Sequence, residues 1–163
     1  MSDIPKWRIR QALPSEVKYL SELAFRSKSY WGYSDRFMQA CLEELTLDSC
    51  YIESNSTFVI EVEGNTVGFY SLEHVSAFEA ELGYLFVEPM FIGKGYGRKL
   101  MAHAQQKARH LGYNQMTVQG DPNAEQFYRA AGGAVVGTRK STSIPDRELP
   151  VFRIDLRELA GET

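Results

Sequence analysis

Cysteine is scarce: Cys41 and Cys50 are the two among 163 residues. The opening MSDIPKWRIR has no apolar core of a secretory leader, so both thiols are expected to stay free in a reducing, cytoplasmic setting. The sequon Asn55-Ser56-Thr57 then has no consequence. His74, His103 and His110 show no ligand spacing with the cysteines, so no metal is expected. No apolar run approaches membrane length, which excludes a helical span and a membrane partner. Neither charge sign dominates: 18 Lys and Arg against 21 Asp and Glu give a formal net charge of -3. No basic face emerges, and nucleic acid is not expected as a partner. Repeats, low-complexity tracts and linkers are absent. What remains is an ordinary globular composition, 44% hydrophobic and 24% charged, at a length that suits one domain over 1–163.

The stretch Glu81 to Gly112 organises the rest. Leu82, Tyr84 and Phe86 alternate with Gly83, Leu85 and Val87, and both sets are largely apolar, which predicts an internal strand ending before Pro89. Gly93, Gly95 and Gly97 follow. Then Leu100, Ala104, Ala108 and Leu111 recur at helical spacing beside Met101, and Gly112 stands as the C-cap. A strand, a glycine loop and a helix N-terminus make an anion site, because the first-turn amides lack intrahelical partners and the dipole is positive there. Lys94, Arg98 and Lys99 sit at that positive end, where cations are unfavourable unless an anion binds. Lys107, Arg109 and His110 sit at the negative end, where they need no ligand. Neither nucleotide motif fits: a Walker loop would need Gly at Glu88 and Ser or Thr at Gly95, and a dinucleotide fingerprint would need Gly at Arg98 or Leu100. A plain tight turn is the remaining alternative.

Elsewhere the pattern predicts a strand over Trp7 to Ala12 and a helix opened by Pro14, with Val17, Leu20, Leu23 and Ala24 on one stripe. A second helix is capped by Ser34 and runs through Leu45. Short strands are expected over Cys50 to Glu53, Phe58 to Glu63 and Thr66 to Glu73, the last two joined at Gly64-Asn65. After Gly112 come a strand over Gln115 to Val118 and a helix over Ala124 to Ala131, ended by Gly132-Gly133. Strands over Ala134 to Thr138 and Val151 to Asp155 close the chain, with a loop over Ser141 to Pro150. The order is mixed β and α around one sheet with helices on both faces, an α/β (α+β) arrangement.

Val87-x-Pro89-x-x-x-Gly93-Lys94-Gly95-x-Gly97-Arg98-x-Leu100 resembles the acetyl-CoA loop of the GNAT (general N-acetyltransferase) superfamily. Asn123-Ala124-x-x-Phe127-Tyr128-x-x-x-Gly132 resembles that family's following helix, in the family's order and at about its spacing. Position 92, usually Gln or Arg, is Ile92, which loses a side-chain contact but leaves the backbone cradle. The resemblance implies a mostly antiparallel mixed sheet of about seven strands, splayed in the middle beside Leu85 to Val87. It also implies acetyl-CoA as co-substrate and an amine as acceptor. The cofactor would be held by the backbone of Ile92, Gly93, Lys94, Gly95, Tyr96, Gly97 and Arg98, by Leu85, Phe86 and Val87 along the pantetheine, and by Asn123 and Phe127.

Acetyl transfer to an amine must hold the thioester, remove a proton from an ammonium and neutralise the departing thiolate. Glu81, a carboxylate in an otherwise apolar strand, is the candidate base, and it occupies the position from which the family often draws one. Burial would raise its pKa. Glu73, Glu79, His74 and a water chain are alternatives. Phe127, aligned with Ala124 and Ala131, reads as the core residue of its helix. Tyr128, about 100° round, is turned to the edge of that face, where the family's general acid falls. Tyr30, Trp31 and Tyr33 are candidates for the acceptor pocket or, alternatively, for packing. Arg139, Lys140 and Arg147 read as solvated. The leading function is acetyl-CoA-dependent N-acetyltransferase; the alternative is a non-catalytic acyl-CoA-binding or regulatory module. The acceptor is not legible, and a homodimer is left open.

Overall fold

Apolar residues at helical and strand periods partition between two cores, one on each face of a single sheet. The computed structural model describes residues 4–157. Its strands are β1 (Trp7–Gln11), β2 (Ser56–Val62), β3 (Asn65–His74), β4 (Glu79–Val87), β5 (Gln115–Gln119), β6 (Ala134–Lys140) and β7 (Glu148–Asp155). The helices are α1 (Val17–Ser29), α2 (Asp35–Cys41), α3 (Ser49–Ser54), α4 (Tyr96–His110) and α5 (Glu125–Ala130). The strand order is β1-β2-β3-β4-β5-β7-β6. Every neighbouring pair is antiparallel except β4 and β5. Leu20, Leu23 and Ala24 of α1 bury against Val59 and Phe69 on one face. Leu100, Met101, Ala104 and Ala108 of α4 bury against Tyr70, Leu82 and Met116 on the other.

The central strand departs from its simple alternation. Ser71 faces Tyr84, but Leu72 faces Leu82, so Gly83 is an extra residue in β4. A bulge of one residue reverses the side-chain phase beyond it. Leu82 therefore shares the α4 face with Leu85 and Val87, whereas Tyr84 and Phe86 pack on the α1 face. Grouping Leu82 with Tyr84 and Phe86 is overturned. Glycine at the bulge has a local reason: a Cβ at position 83 would collide with the Glu73 carboxylate and the Tyr51 hydroxyl. That hydroxyl donates to Glu73 and also contacts Ser71 Oγ, and Ser71 Oγ accepts the Tyr84 N–H at 3.0 Å.

Other corrections are local. Cys50 to Glu53 is helical, because Asp48 Oδ1 accepts the Tyr51 N–H at 2.8 Å and caps α3. Ser34 caps α2 as its sequence indicates, but α2 stops at Cys41 and Leu45 is buried from the turns beyond. The hairpin between β2 and β3 turns on Glu63-Gly64, with φ of 50° and 84°, and Val62 faces Asn65. That is the two-residue turn whose twist suits adjacent strands, one position earlier than Gly64-Asn65. α4 ends one position before the glycine read as its cap: Leu111 is the C-cap and Gly112, with a φ of 99°, follows it, its N–H bonding Arg109 C=O while Tyr113 N–H bonds Ala108 C=O. Leu111, being its C-cap, is half exposed rather than in the apolar stripe.

Candidate active site

β4 and β5 are in register only over Glu79–Glu81 and Gln115–Thr117. Beyond Glu81 the two strands diverge, and the parting opens a cavity of about 530 Å³. The expected splay beside Leu85 to Val87 is present. Released from β5, the Val87 N–H donates instead to Ser27 Oγ at 3.4 Å. Leu85, Phe86 and Val87 form one wall of the cavity, and Ile92, Gly93, Gly95, Gly97 and Arg98 continue it to the start of α4.

The loop is built for close approach. Gly93 and Gly95 have φ of 84° and 92°, and a Cβ on either would meet nothing within 4 Å. Glycine satisfies the left-handed backbone and leaves its surface bare. No side chain caps α4, and its first turn carries no acid, so the helix dipole and free amides face the cavity uncompensated. An anion fits there. Two predicted ligands do not reach the cavity with their side chains. Lys94 lies 5.5 Å over the Phe91 ring, and Tyr96 is 7% exposed and packed against Phe91. Their backbone still belongs to the loop.

Glu81 sits where the strands part and lines the cavity. Its side chain keeps 22% exposure, and its Oε2 accepts from Arg139 Nη1 at 3.1 Å. It is ion-paired rather than enclosed, contrary to a buried carboxyl, and Arg139 is not simply solvated. The rivals are engaged elsewhere. Glu79 accepts from Gln115 Nε2 and Thr117 Oγ1, fastening β4 to β5. Glu73 is held by Tyr51. His74 Nδ1 meets the Tyr113 hydroxyl.

Tyr128 and Phe127 exchange the roles read from the helix. Tyr128 is the buried residue of α5, stacked near Phe152 at 5.3 Å between ring centroids. Its ring packs on Gly120, where a Cβ would come within 2.9 Å. Phe127 lies at the edge, and the nearest atom to a Cβ at Gly97 would be its Cε1, at 3.4 Å. The reason is tertiary: Phe152 of β7 and the bare backbone of Gly120 take the Tyr128 ring. Both rings still line the cavity. The Tyr128 hydroxyl has no hydrogen-bond partner among the described residues, and no buried side-chain polar atom there is left unpaired. It therefore opens into the cavity. Burial, with Asp121 adding, pushes its pKa well above the usual phenol value.

The aromatic trio divides. Trp31 lines the cavity, Tyr30 packs edge-on against it and is 52% exposed, and Tyr33 stacks on Phe37 at 4.0 Å. The Tyr33 hydroxyl joins residues that sequence patterns did not single out as site groups. Asp121 accepts from Tyr33 at 2.7 Å and from Lys28 Nζ at 3.3 Å. Arg147, expected in solvent, donates to the Tyr33 hydroxyl at 2.9 Å and keeps only 19% exposure. Burial pushes Asp121 up, but the Asn123 N–H, Tyr33 and Lys28 outweigh it and hold the carboxyl below its usual range. These four residues come from three distant segments, and no local spacing announces them. Among the described residues no cluster of three or more His, Cys, Asp or Glu could hold a metal ion, and no helix is long and apolar enough to cross a membrane.

The acetyltransferase (GNAT) family model matches residues 18–132. The chain is 31% identical over 130 residues to the 5-NmdU N-acetyltransferase of Pseudomonas phage PaMx11, covering 79% of this chain and 88% of that protein. It is 31% identical over 132 residues to the peptidyl-lysine N-acetyltransferase YiaC of Escherichia coli (strain K12), covering 78% and 84%. Its fold superposes on the PaiA N-acetyltransferase of Thermoplasma acidophilum in complex with coenzyme A, with a TM-score of 0.72 and 18% identity over 92% of this chain and 99% of that one. A glycine loop, a sheet parted beside it and a family match across the same residues lead to one conclusion: this chain belongs to the GNAT family of acetyltransferases.

Proposed function

We propose that the protein transfers the acetyl group of acetyl-CoA to a primary amine by direct attack on the thioester. The observation that carries this reading is one cavity running from the uncapped start of α4 to the free hydroxyl of Tyr128 and to Glu81. The amides of Gly93 to Arg98 would hold the pyrophosphate, as the dipole and the bare loop favour, and the edge of Leu85 to Val87 would face the pantetheine. Asn123, in the turn before α5, and Phe127 of α5 would flank the arm.

The acetyl thioester supplies the electrophile; the chain's groups position it and move protons. Glu81 takes the proton from the acceptor's ammonium, directly or through water, with Arg139 holding the carboxylate at the strand parting. The amine nitrogen bonds the acetyl carbon as the carbon–sulfur bond breaks, the Tyr128 phenol gives its proton to the leaving sulfur, and the second proton shed by the nitrogen returns through water to the Tyr128 oxygen while Glu81 releases its own to solvent. The phenol is protonated at neutral pH, and burial makes it a weaker acid, so transfer follows only as negative charge gathers on a sulfur held close to it. The names of the relatives, one for 5-NmdU and one for peptidyl-lysine, support an amine acceptor. We place the activity in the cytoplasm, where the free Cys41 and Cys50 stay reduced. Free-thiol release from acetyl-CoA across a panel of amines, nucleosides and lysine peptides tests the reading. Tight CoA binding with no release for any acceptor would instead leave an acyl-CoA-binding module.

A further inference from the structure

Where the sheet stands open, Lys28, Tyr33, Asp121 and Arg147, which the transfer scheme does not use, form a polar knot with Asn123. Its centre is the Tyr33 hydroxyl, within 2.9 Å of Asp121 Oδ1 and 2.7 Å of Oδ2. It also receives Asn123 Nδ2 and Arg147 Nη2, each at 2.9 Å. A phenol has one proton and two lone pairs. The proton goes to the carboxylate, and the lone pairs accept from Asn123 and Arg147, so the hydroxyl is saturated. The Asn123 amide nitrogen also lies 3.0 Å from Asp121 Oδ1. A carboxylate only accepts, so the group facing it must be the NH₂. Both N–H bonds of that amide are thereby spent, one on Tyr33 and one on Asp121. Its Oδ1 has no partner among the described residues, and Asn123 lines the cavity beside Phe127.

We propose that Tyr33 and Asp121 are positioning residues that pin the Asn123 amide so that it presents an acceptor, not a donor, to the cofactor arm. The group it reads is then a hydrogen-bond donor, which on the coenzyme A arm is a pantetheine amide N–H or the pantoyl hydroxyl; this rests on the acetyl-CoA reading above. Tyr33 thus belongs to the cofactor side of the site, although it follows Trp31 by two residues. Lys28 and Arg147 secure the knot from α1 and from the loop before β7: Lys28 bonds Asp121 at 3.3 Å, and the Arg147 guanidinium lies over Phe37 at 4.9 Å.

The test compares two ligands by calorimetry. Coenzyme A carries the pantetheine arm, and adenosine 3′,5′-bisphosphate carries the nucleotide phosphates without it. Tyr33→Phe keeps the ring stacked on Phe37 and removes only the hydroxyl. It should weaken coenzyme A about tenfold, the scale of one lost hydrogen bond, and leave the bisphosphate within about twofold. Asn123→Ala should give the same split, and the double variant should be no worse than either single change, since both remove one interaction. Equal weakening of both ligands, or of neither, by folded Tyr33→Phe would overturn the inference and leave the cofactor reading intact. Failure of the unaltered protein to bind coenzyme A would remove both.

Discussion

In the proposed reaction two residues carry the proton traffic, and their surroundings separate chemistry from scaffolding. The Tyr128 ring is buried against Phe152 and Gly120, but its hydroxyl has no partner to lose. Tyr128→Phe should therefore melt within a degree or two of the parent, since an unpaired hydroxyl contributes little, while turnover drops ~10-fold or more. Equal turnover would return Tyr128 to a packing role. Glu81 is different because it is partnered. Its pair with Arg139 is partly exposed, at 47% and 22% for the two side chains, so Glu81→Gln should change stability by no more than about 1 kcal/mol. Turnover should fall by ~10²–10⁴ with acetyl-CoA affinity intact, and the loss should shrink at high pH, where free amine is abundant. Full activity at neutral pH would assign the proton to water.

At the scale of elements, the glycines do separate jobs that substitution can distinguish. Gly97 is the place to block the cofactor without breaking the loop. Its backbone is not left-handed, and the nearest obstacle to a Cβ is the Phe127 ring at 3.4 Å. Gly97→Val should fold and lose acetyl-CoA affinity; unchanged affinity in titration would refute the cradle. Gly95→Val is the poorer probe, because its φ of 92° strains any side chain. Gly83 belongs to the sheet. A methyl there would press on Glu73 and Tyr51, so Gly83→Ala should cost about 1–3 kcal/mol, read by urea denaturation. A neutral result would show that the Tyr51–Glu73 contact yields easily.

Across the whole molecule, stability should fall on the acid side in two stages. Burial, with Lys107 nearby, holds the His103 pKa below its ordinary 6.5, and His103 Nδ1 meets the Tyr70 hydroxyl at 2.7 Å. The unfolded chain takes that proton first, so stability begins to drop as pH falls below 6.5. The carboxyls of Glu16, hydrogen-bonded by Arg10, and of Glu61, hydrogen-bonded by Arg10 and Arg8, are held below their ordinary 4.5. Asp121 is likewise held low. Their contribution is full above 4.5 and is lost as pH falls through the lowered folded values. Melting temperature followed from about pH 7.5 to about pH 3.5 should show both stages. His103→Gln should abolish the first and keep the second; a single unchanged descent would refute the assignment.

The sequence by itself determined whatever depends on neighbours along the chain. The α4 stripe, its cation-rich start and glycine end, the Ser34 cap and the strand before Pro89 are all set by spacings of a few residues. So the glycine loop at the start of α4 was legible, and the family with it. Tertiary structure decided what depends on residues far apart. The phase of β4 turns on Gly83 meeting Tyr51 and Glu73. The burial of Tyr128 rather than Phe127 turns on Phe152 arriving from β7. The knot on Asp121 gathers side chains from α1, the loop after it, the turn before α5 and the loop before β7, with Lys28 and Tyr33 lying 93 and 88 positions from Asp121. Its bonds exist only once the sheet has parted beyond Glu81, because strands that stayed paired would leave no room for Lys28 and Tyr33 to reach across.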